Sequence, residues 1–255
     1  TTALINFQPR NIANIRMKVR GVDIISFNTF GGVKKLRQQL NTYRWLWNGP
    51  FMVLEWGIYS PQEAAQTAWG APIENTSTKK AEQYADLYQH YLPSDNPRFL
   101  GALTFYWGQK EEVTPTWYSI FDSSGAATGI TGTMQALWTG KPPLHKAPAL
   151  EYMLVNNKGA ADNIFMEAGA RQAASLVMRD SSTNGLRVVW EVMEEDIDPQ
   201  NNRPPAVYQA GISPENAFHI HFRAPQKEGA YRLYARVYDQ YGNMGICQQP
   251  IHLFM

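Results

Sequence analysis

Cysteine is nearly absent from this chain: Cys247 is the only one among 255 residues. A single thiol excludes an intramolecular disulfide framework and a thiolate metal cluster, and it leaves the redox compartment open. An excess of one charge is missing as well. Lys and Arg total 23 against 22 Asp and Glu, a formal net charge of +1, so there is no electrostatic footprint for nucleic acid or an anionic membrane. No apolar run approaches the ~20 residues that a membrane span requires. A basic-then-apolar leader is also lacking, and the start at Thr1-Thr2 without Met implies that an upstream piece was removed. What is present is a composition that folds. Hydrophobic residues make up 44% and charged residues 18%, enough for a sizeable core in one large domain or two ordinary ones.

Tryptophan is unevenly spread. Seven of the eight (Trp45, Trp47, Trp56, Trp69, Trp107, Trp117 and Trp138) precede residue 139, and Trp190 alone follows. The stretch Gly140-Lys141-Pro142-Pro143-Leu144-His145-Lys146-Ala147-Pro148 lies at this change, and its prolines interrupt both helix and central strand. The expected organisation is a domain over 1–139, a linker over 140–148 and a second domain over 149–255. Twelve basic and ten acidic residues precede position 140, and eleven and twelve follow, so neither half is polarised.

Four nearly continuous apolar runs mark the first domain: Ala3-Leu4-Ile5-Asn6-Phe7, Val22-Asp23-Ile24-Ile25-Ser26-Phe27-Asn28, Pro50-Phe51-Met52-Val53-Leu54-Glu55-Trp56-Gly57, and a fourth over 99–108. Strands buried on both faces read this way. Between them, 33–41 and 77–92 carry helical spacing; in the latter Ala81, Tyr84, Ala85, Tyr88 and Leu92 recur, with Thr76 or Ser77 as the cap. A further helix is expected over 131–138. Strand followed by helix, four times over, predicts an α/β fold with a parallel sheet. After the linker the period becomes two, in 187–192, 218–222 and 231–238, with Asn184-Gly185 and Tyr241-Gly242-Asn243 as turns. This predicts an all-β region, an immunoglobulin-like β-sandwich in architecture.

Glu55 is the most informative residue. A buried strand runs into it, and a carboxylate at the C-terminal end of a parallel strand faces the mouth where α/β barrels place their chemistry. The second strand ends in Asn28-Thr29-Phe30-Gly31-Gly32 and the fourth in Tyr106-Trp107-Gly108. An amide, a carboxylate and an indole at neighbouring strand ends suit a sugar ring, whose apolar face stacks while its hydroxyls are hydrogen-bonded.

At these residues the chain resembles the second half of the (β/α)8 catalytic domain of retaining glycoside hydrolases, the type found in glycoside hydrolase family 2 and its clan. The run 50–57 is similar to the clan's seventh strand, which makes Glu55 the nucleophile. Phe105-Tyr106-Trp107-Gly108 is similar to the eighth, which makes Trp107, with Tyr106, the floor of the sugar site. Asn28-Thr29-Phe30 resembles the turn after the sixth. The stretch from Trp69-Gly70-Ala71-Pro72-Ile73-Glu74 to Thr114-Pro115-Thr116-Trp117-Tyr118 is similar to bacterial hydrolases that carry a β-sandwich after the barrel. Trp69 and Glu74, in the long connection after the third run, are further candidates for lining the site.

The resemblance implies a half TIM barrel, strands five to eight, belonging to a retaining enzyme that cleaves O-glycosidic bonds of an oligosaccharide or polysaccharide. Two departures accompany it. Phe30 stands where the clan commonly has a tyrosine that hydrogen-bonds the nucleophile. Strand four, which carries the clan's acid/base glutamate, has no counterpart among the four runs, so one carboxylate of the required pair is missing. The implied partners are the missing N-terminal half of the barrel or a second copy of the chain. Hydrolysis and transglycosylation are both open, and so is a non-catalytic glycan-binding or scaffold role. Glycan polymers lie mostly outside the cytoplasm, which points to secretion or a periplasmic site. No cofactor or metal is called for.

Each of these residues also has an ordinary reading. Glu55 could pair with Arg or Lys at a strand end, Trp107 could close the top of a packed barrel, and Asn28 could serve a turn. Glu74 could simply precede a helix N-terminus. His219 and His221 share one strand face at metal-ligand spacing without a third ligand, as solvent-facing residues also would. The run 180–185 has one carboxylate where a calcium loop needs several, and Glu194-Glu195-Asp196-Ile197-Asp198 and Glu111-Glu112 read as solvated surface. Gly31-Gly32 lacks the wider pattern of a phosphate loop. Cys247 is expected to be buried and inert.

Overall fold

The apolar runs of the front region pair in the order in which they occur. The computed structural model describes residues 2–4, 6–180, 183–195, 206–208, 212–216 and 218–255. By packing, the chain forms two units: Thr1–Ser60 with Gln83–Trp107, and Pro61–Glu82 with Gly108–Met255. The whole is a mixed α/β structure, mostly strand, with few helices.

The first unit holds a four-stranded parallel sheet in the order β1 (Thr2–Leu4), β2 (Ile25–Asn28), β3 (Phe51–Trp56), β4 (Phe99–Thr104). Parallel neighbours need long crossovers. Helix α1 (Pro9–Lys18) lies between the first two strands and α2 (Val33–Thr42) between the next. Proline at the first turn of α1 forgoes an amide hydrogen that would be unpaired there anyway, and Arg16 and Lys18 sit at the negative end of its dipole. Buried Val33, Leu36 and Leu40 form the inner stripe of α2. Phe27, Phe51 and Phe99 run across three strands with ring centroids 6.1 and 5.6 Å apart. Ile5 of the first expected strand lies outside the described residues.

Helix α3 (Ser77–His90) begins in the second unit and ends in the first. Of its two candidate caps Thr76 does the work: its hydroxyl accepts the Lys79 amide at 3.1 Å, the N-cap arrangement. Ser77 instead accepts the Ile246 amide at 2.9 Å.

Beyond β4 the helix expected over 131–138 is present, but the segment that carries it belongs to the second unit. Residues 108–139 pack with the second unit, and β5 (Ala127–Thr128) pairs in parallel with the long C-terminal strand rather than with the first sheet. Helix α4 (Gly129–Thr139) follows it and ends on Gly140, left-handed at φ 71°, the usual stop.

The remainder is strand: β6 (Leu150–Val155), β7 (Phe165–Glu167), β8 (Arg171–Met178), β9 (Arg187–Glu194), β10 (Val207–Tyr208), β11 (Ser213–Asn216), β12 (His219–Arg223), β13 (Gly229–Tyr238) and β14 (Asn243–Phe254). One sheet runs β11-β12-β8-β6; the other runs β10-β9-β13-β14-β5, with β7 also on β14. Leu176, Ile220 and Phe222 from the first sheet and Trp190, Leu233, Val237 and Ile251 from the second share one core. The turn between β13 and β14 is set by Asp239, whose Oδ1 accepts the amides of Tyr241 and Asn243, both at 2.8 Å. Ser181 and Ser182 of the calcium-like run, and Asp196, Ile197 and Asp198 of the acidic run, lie outside the described residues.

Cys247 is 3% exposed in this core. Burial pushes its thiol up to about 12. Raised in the folded state, it contributes stability that is complete below the ordinary thiol range and is lost as pH rises towards that value. At pH 8 a thiol reagent should therefore label the folded chain at least about a hundredfold more slowly than the urea-unfolded chain. Equal rates would show that the thiol is accessible in the folded state.

Candidate active site

The C-terminal ends of β2, β3 and β4 lie side by side in the first unit, and the parallel register decides which residues meet. Asn28 is paired with Glu55. The register slips beside both: between Phe27 and Asn28 toward β2, and between Val53 and Trp56 toward β4. Such irregularities re-aim side chains and recur next to active sites. The burial pattern of β3 shows the result, since alternation breaks at Leu54 and Glu55, both half-buried. The backbone here is tied down on both sides. The Thr29 amide donates to the Glu55 carbonyl at 2.8 Å, and the Phe105 amide donates to the Trp56 carbonyl at 3.0 Å.

That second bond sets where the chain leaves β4. Tyr106 and Trp107 follow, 42% and 49% exposed, with a cis peptide between Phe105 and Tyr106. The Tyr84 hydroxyl of α3 donates to the Phe105 carbonyl, and its ring meets Trp56 at 5.6 Å. Gly57 makes this contact possible: at φ 154°, a Cβ built on it would lie 2.4 Å from the Tyr84 hydroxyl. Phe30 takes a left-handed backbone, φ 43°, uncommon for a bulky residue. Its ring stands edge-on to Phe105 at 5.1 Å. The Phe30 ring therefore packs against the residue that follows β4. Asn28, Glu55, Tyr106 and Trp107 thus come to one edge of one sheet.

Trp69 and Glu74 belong to the second unit. Trp69 packs with Phe165 and His252, with centroids 5.2 and 5.4 Å away. Glu74 is 6% exposed, and its oxygens are committed to internal donors. Lys80 Nζ donates to Oε1 at 2.5 Å and Thr116 to the same oxygen at 2.8 Å, while Thr114 donates to Oε2 at 2.7 Å. Lys80 also donates to the carbonyls of Thr116 and Trp117. Burial would raise the Glu74 carboxyl, but the charges of Lys80 and Arg232 outweigh it and hold the group below the ordinary range. Glu74 is the centre of a buried ionic cluster.

Lys80, Arg232 and Arg236 carried no functional mark in sequence, and Glu195, which read as solvated surface, is buried against Arg232. Arg232, 1% exposed, pairs with Glu195 and donates to Gln248 at 2.5 Å and to the Pro72 carbonyl at 2.8 Å. Arg236 pairs with Glu191. The signal lies in β13, where Arg232, Tyr234, Arg236 and Tyr238 alternate with core residues. Such a face reads as solvated unless something covers it. His219 and His221 lie on β12, and among the described residues no group of three or more His, Cys, Asp or Glu is placed to hold a metal. Among them, too, no helix is long and apolar enough to cross a membrane.

Two substitutions test this geometry by urea unfolding. Gly57→Ala should cost about 1–3 kcal/mol, because the added methyl must displace Tyr84; an unchanged midpoint would overturn the contact. Lys80→Met should cost about 3–5 kcal/mol by leaving Glu74 buried without its cation, and adding Glu74→Gln should restore much of the loss. Additive losses would show that the two residues are independent.

No protein-family model matches the chain, and no curated protein matches it. Among solved structures, a DUF4784 family protein from Bacteroides caccae is 14% identical over 41% of this chain and 24% of its own, with a TM-score of 0.23. Murine CRIg is 10% identical over 40% of this chain and 97% of its own, at 0.26. A beta-glucuronidase from glycoside hydrolase family 2 is 10% identical over 98% of this chain, at 0.30, and the chain spans 42% of that protein's length. These are weak, distant likenesses.

Proposed function

We propose that the chain is part of a retaining glycoside hydrolase acting on O-glycosidic bonds of a glycan, its first sheet being half of a (β/α)8 barrel and its strand-rich unit an immunoglobulin-like β-sandwich. The observation that carries this reading is the register: Asn28 opposite Glu55 at irregular, C-terminal ends of adjacent parallel strands, with exposed Tyr106 and Trp107 at the end of the next. Glu55 attacks the anomeric carbon, the glycosidic bond breaks, and a glycosyl-enzyme forms. A second carboxyl group protonates the leaving oxygen and then takes a proton from the water that attacks the anomeric carbon, the ester bond to Glu55 breaking to release the sugar and restore its carboxylate. The second group must stand about 5–5.5 Å from Glu55, and it comes from a further half of the barrel or a second copy of this chain. Asn28 holds a hydroxyl of the bound sugar, and Trp107 with Tyr106 stacks on its apolar face.

The outer strands of the described sheet support that partnership. On β4, Leu100 and Leu103 are 53% and 55% exposed, and open strand edges invite pairing. The native species should therefore be larger than 28.9 kDa, as native mass spectrometry would read; a monomer would count against the partner.

A second reading, glycan binding without turnover, is favoured by Phe30, which has no hydroxyl and packs on Phe105. Glu55→Gln in the complete assembly separates the two. Turnover of a glycoside substrate should fall at least about a thousandfold while glycan binding persists; unchanged turnover removes Glu55 from the mechanism. Trp107→Ala should weaken glycan binding about tenfold or more on either reading.

A further inference from the structure

A cavity of about 630 Å³ lies in the first unit, walled by Arg16 of α1 and by residues 44–49, which lead into β3. It shares no residue with the Glu55 site. In a parallel sheet the segments that enter the strands lie at the edge opposite the one that carries Glu55. This part of the chain is one-sided in charge: among residues 1–54 eight are Lys or Arg, and Asp23 alone is acidic.

Neither arginine of the cavity meets a carboxylate among the described residues; neutral acceptors hold them instead. Arg16 Nη1 donates to the carbonyls of Trp45 at 2.6 Å and Leu46 at 3.1 Å, and Arg44 Nε donates to the Asn48 side-chain oxygen at 2.8 Å. Arg98, just before β4, donates to the Trp47 carbonyl at 3.1 Å. Burial first, and the charge of Arg44 second, hold the Arg98 guanidinium below its ordinary range. Three cations thus share one corner of the fold, positioned by hydrogen bonds that neutralise none of them.

Two indoles complete the walls. Trp47 is fixed: its Nε1 donates to the Pro50 carbonyl at 3.0 Å, and its ring lies so close to Gly49 that a Cβ there would stand 2.7 Å from it. Trp45 is 71% exposed, and an indole left bare beside a cavity has a large apolar face to give a partner.

The occupant follows from these groups. A guanidinium with N–H groups to spare takes an oxyanion in a fork. An indole takes a flat apolar face, and Asn48 keeps its Nδ2 for a hydroxyl oxygen. A sugar ring bearing a carboxylate or a sulfate offers all three. Nucleic acid needs a longer track of cations for its phosphates, and a membrane surface meets a protruding face rather than a cavity.

We propose that this cavity binds an acidic glycan, its carboxylate or sulfate held by Arg16 and Arg44 and its ring stacked on Trp45. The proposal is independent of the Glu55 reading.

Calorimetric titration of the whole protein with tetragalacturonate, a sulfated tetrasaccharide from heparin and neutral maltotetraose tests it. An acidic chain should bind and the neutral one should not. Tetragalacturonate alone identifies a carboxylate as the recognised group, the heparin fragment alone identifies a sulfate, and both together identify any ring-borne acid; each supports the site. Arg44→Met and Trp45→Ala should each weaken that binding about tenfold. Both residues are exposed, so their variants remain informative if Arg16→Met does not fold. Trp107→Ala should leave the Arg44-dependent binding unmoved, which separates this cavity from the Glu55 edge. Binding of neither acidic chain, maltotetraose binding as tightly, or binding lost with Trp107→Ala but not with Arg44→Met would overturn the proposal. So would indifference to Trp45→Ala, the mark of charge attraction alone, or phosphatidylserine vesicles bound more tightly than either acidic chain, which would make this face a membrane contact.

Discussion

A carboxylate removed from water has to be given charge and hydrogen bonds from within the protein, and Glu74 imposes that condition on the second unit. Lys80 comes to it from α3, Thr114 and Thr116 from the 108–139 region, and the Arg232 charge from β13. Arg232 in turn engages Glu195, Gln248 and the Pro72 carbonyl. Segments far apart in sequence thus meet on one charged face of one sheet. Hydrophobic contact alone would tolerate sliding; a buried ion with several directional partners leaves one arrangement far better than its neighbours.

That requirement explains the form of the six-stranded sheet. Its inner face contributes Leu233, Val237 and Ile251 to the core shared with the other sheet. Its outer face carries Arg232 and Gln248, both buried, and the half-buried Arg236. β14 is consequently buried on both faces along most of its length. A strand covered on both sides loses the polar–apolar alternation by which half-buried strands are recognised.

In the first unit the governing constraint is the parallel register. Consecutive parallel strands bring all their C-terminal ends to one edge, and whatever residues close those strands become neighbours. Asn28 is paired with Glu55 in that register. Gly57 and Tyr84 then fix the backbone that follows, and Phe30 and Phe105 brace the exit of β4. Rigid backbone around a carboxylate is what a site needs if its chemistry depends on position.

Much was legible in the chain itself. Strands in the four apolar runs, the helices at 33–41, 77–92 and 131–138, and the period-two strands β9, β12 and β13 are marked by local periodicity, although the fourth run, read as buried on both faces, leaves Leu100 and Leu103 exposed. The strand-end character of Asn28, Glu55 and Trp107 followed from the same patterns. Other features depended on contacts between distant segments. Glu74 could line a site or simply precede a helix N-terminus, because a carboxylate's role is set by the donors around it, and Lys80, Thr114 and Arg232 reach it only in the folded chain. The region 108–139 read as a continuation of the strand–helix alternation, yet β5 pairs with β14, more than a hundred residues onward. Periodicity reports whether one face of an element is covered. Which segment covers it, and whether a polar face is wet or paired, is decided only when the chain has closed on itself.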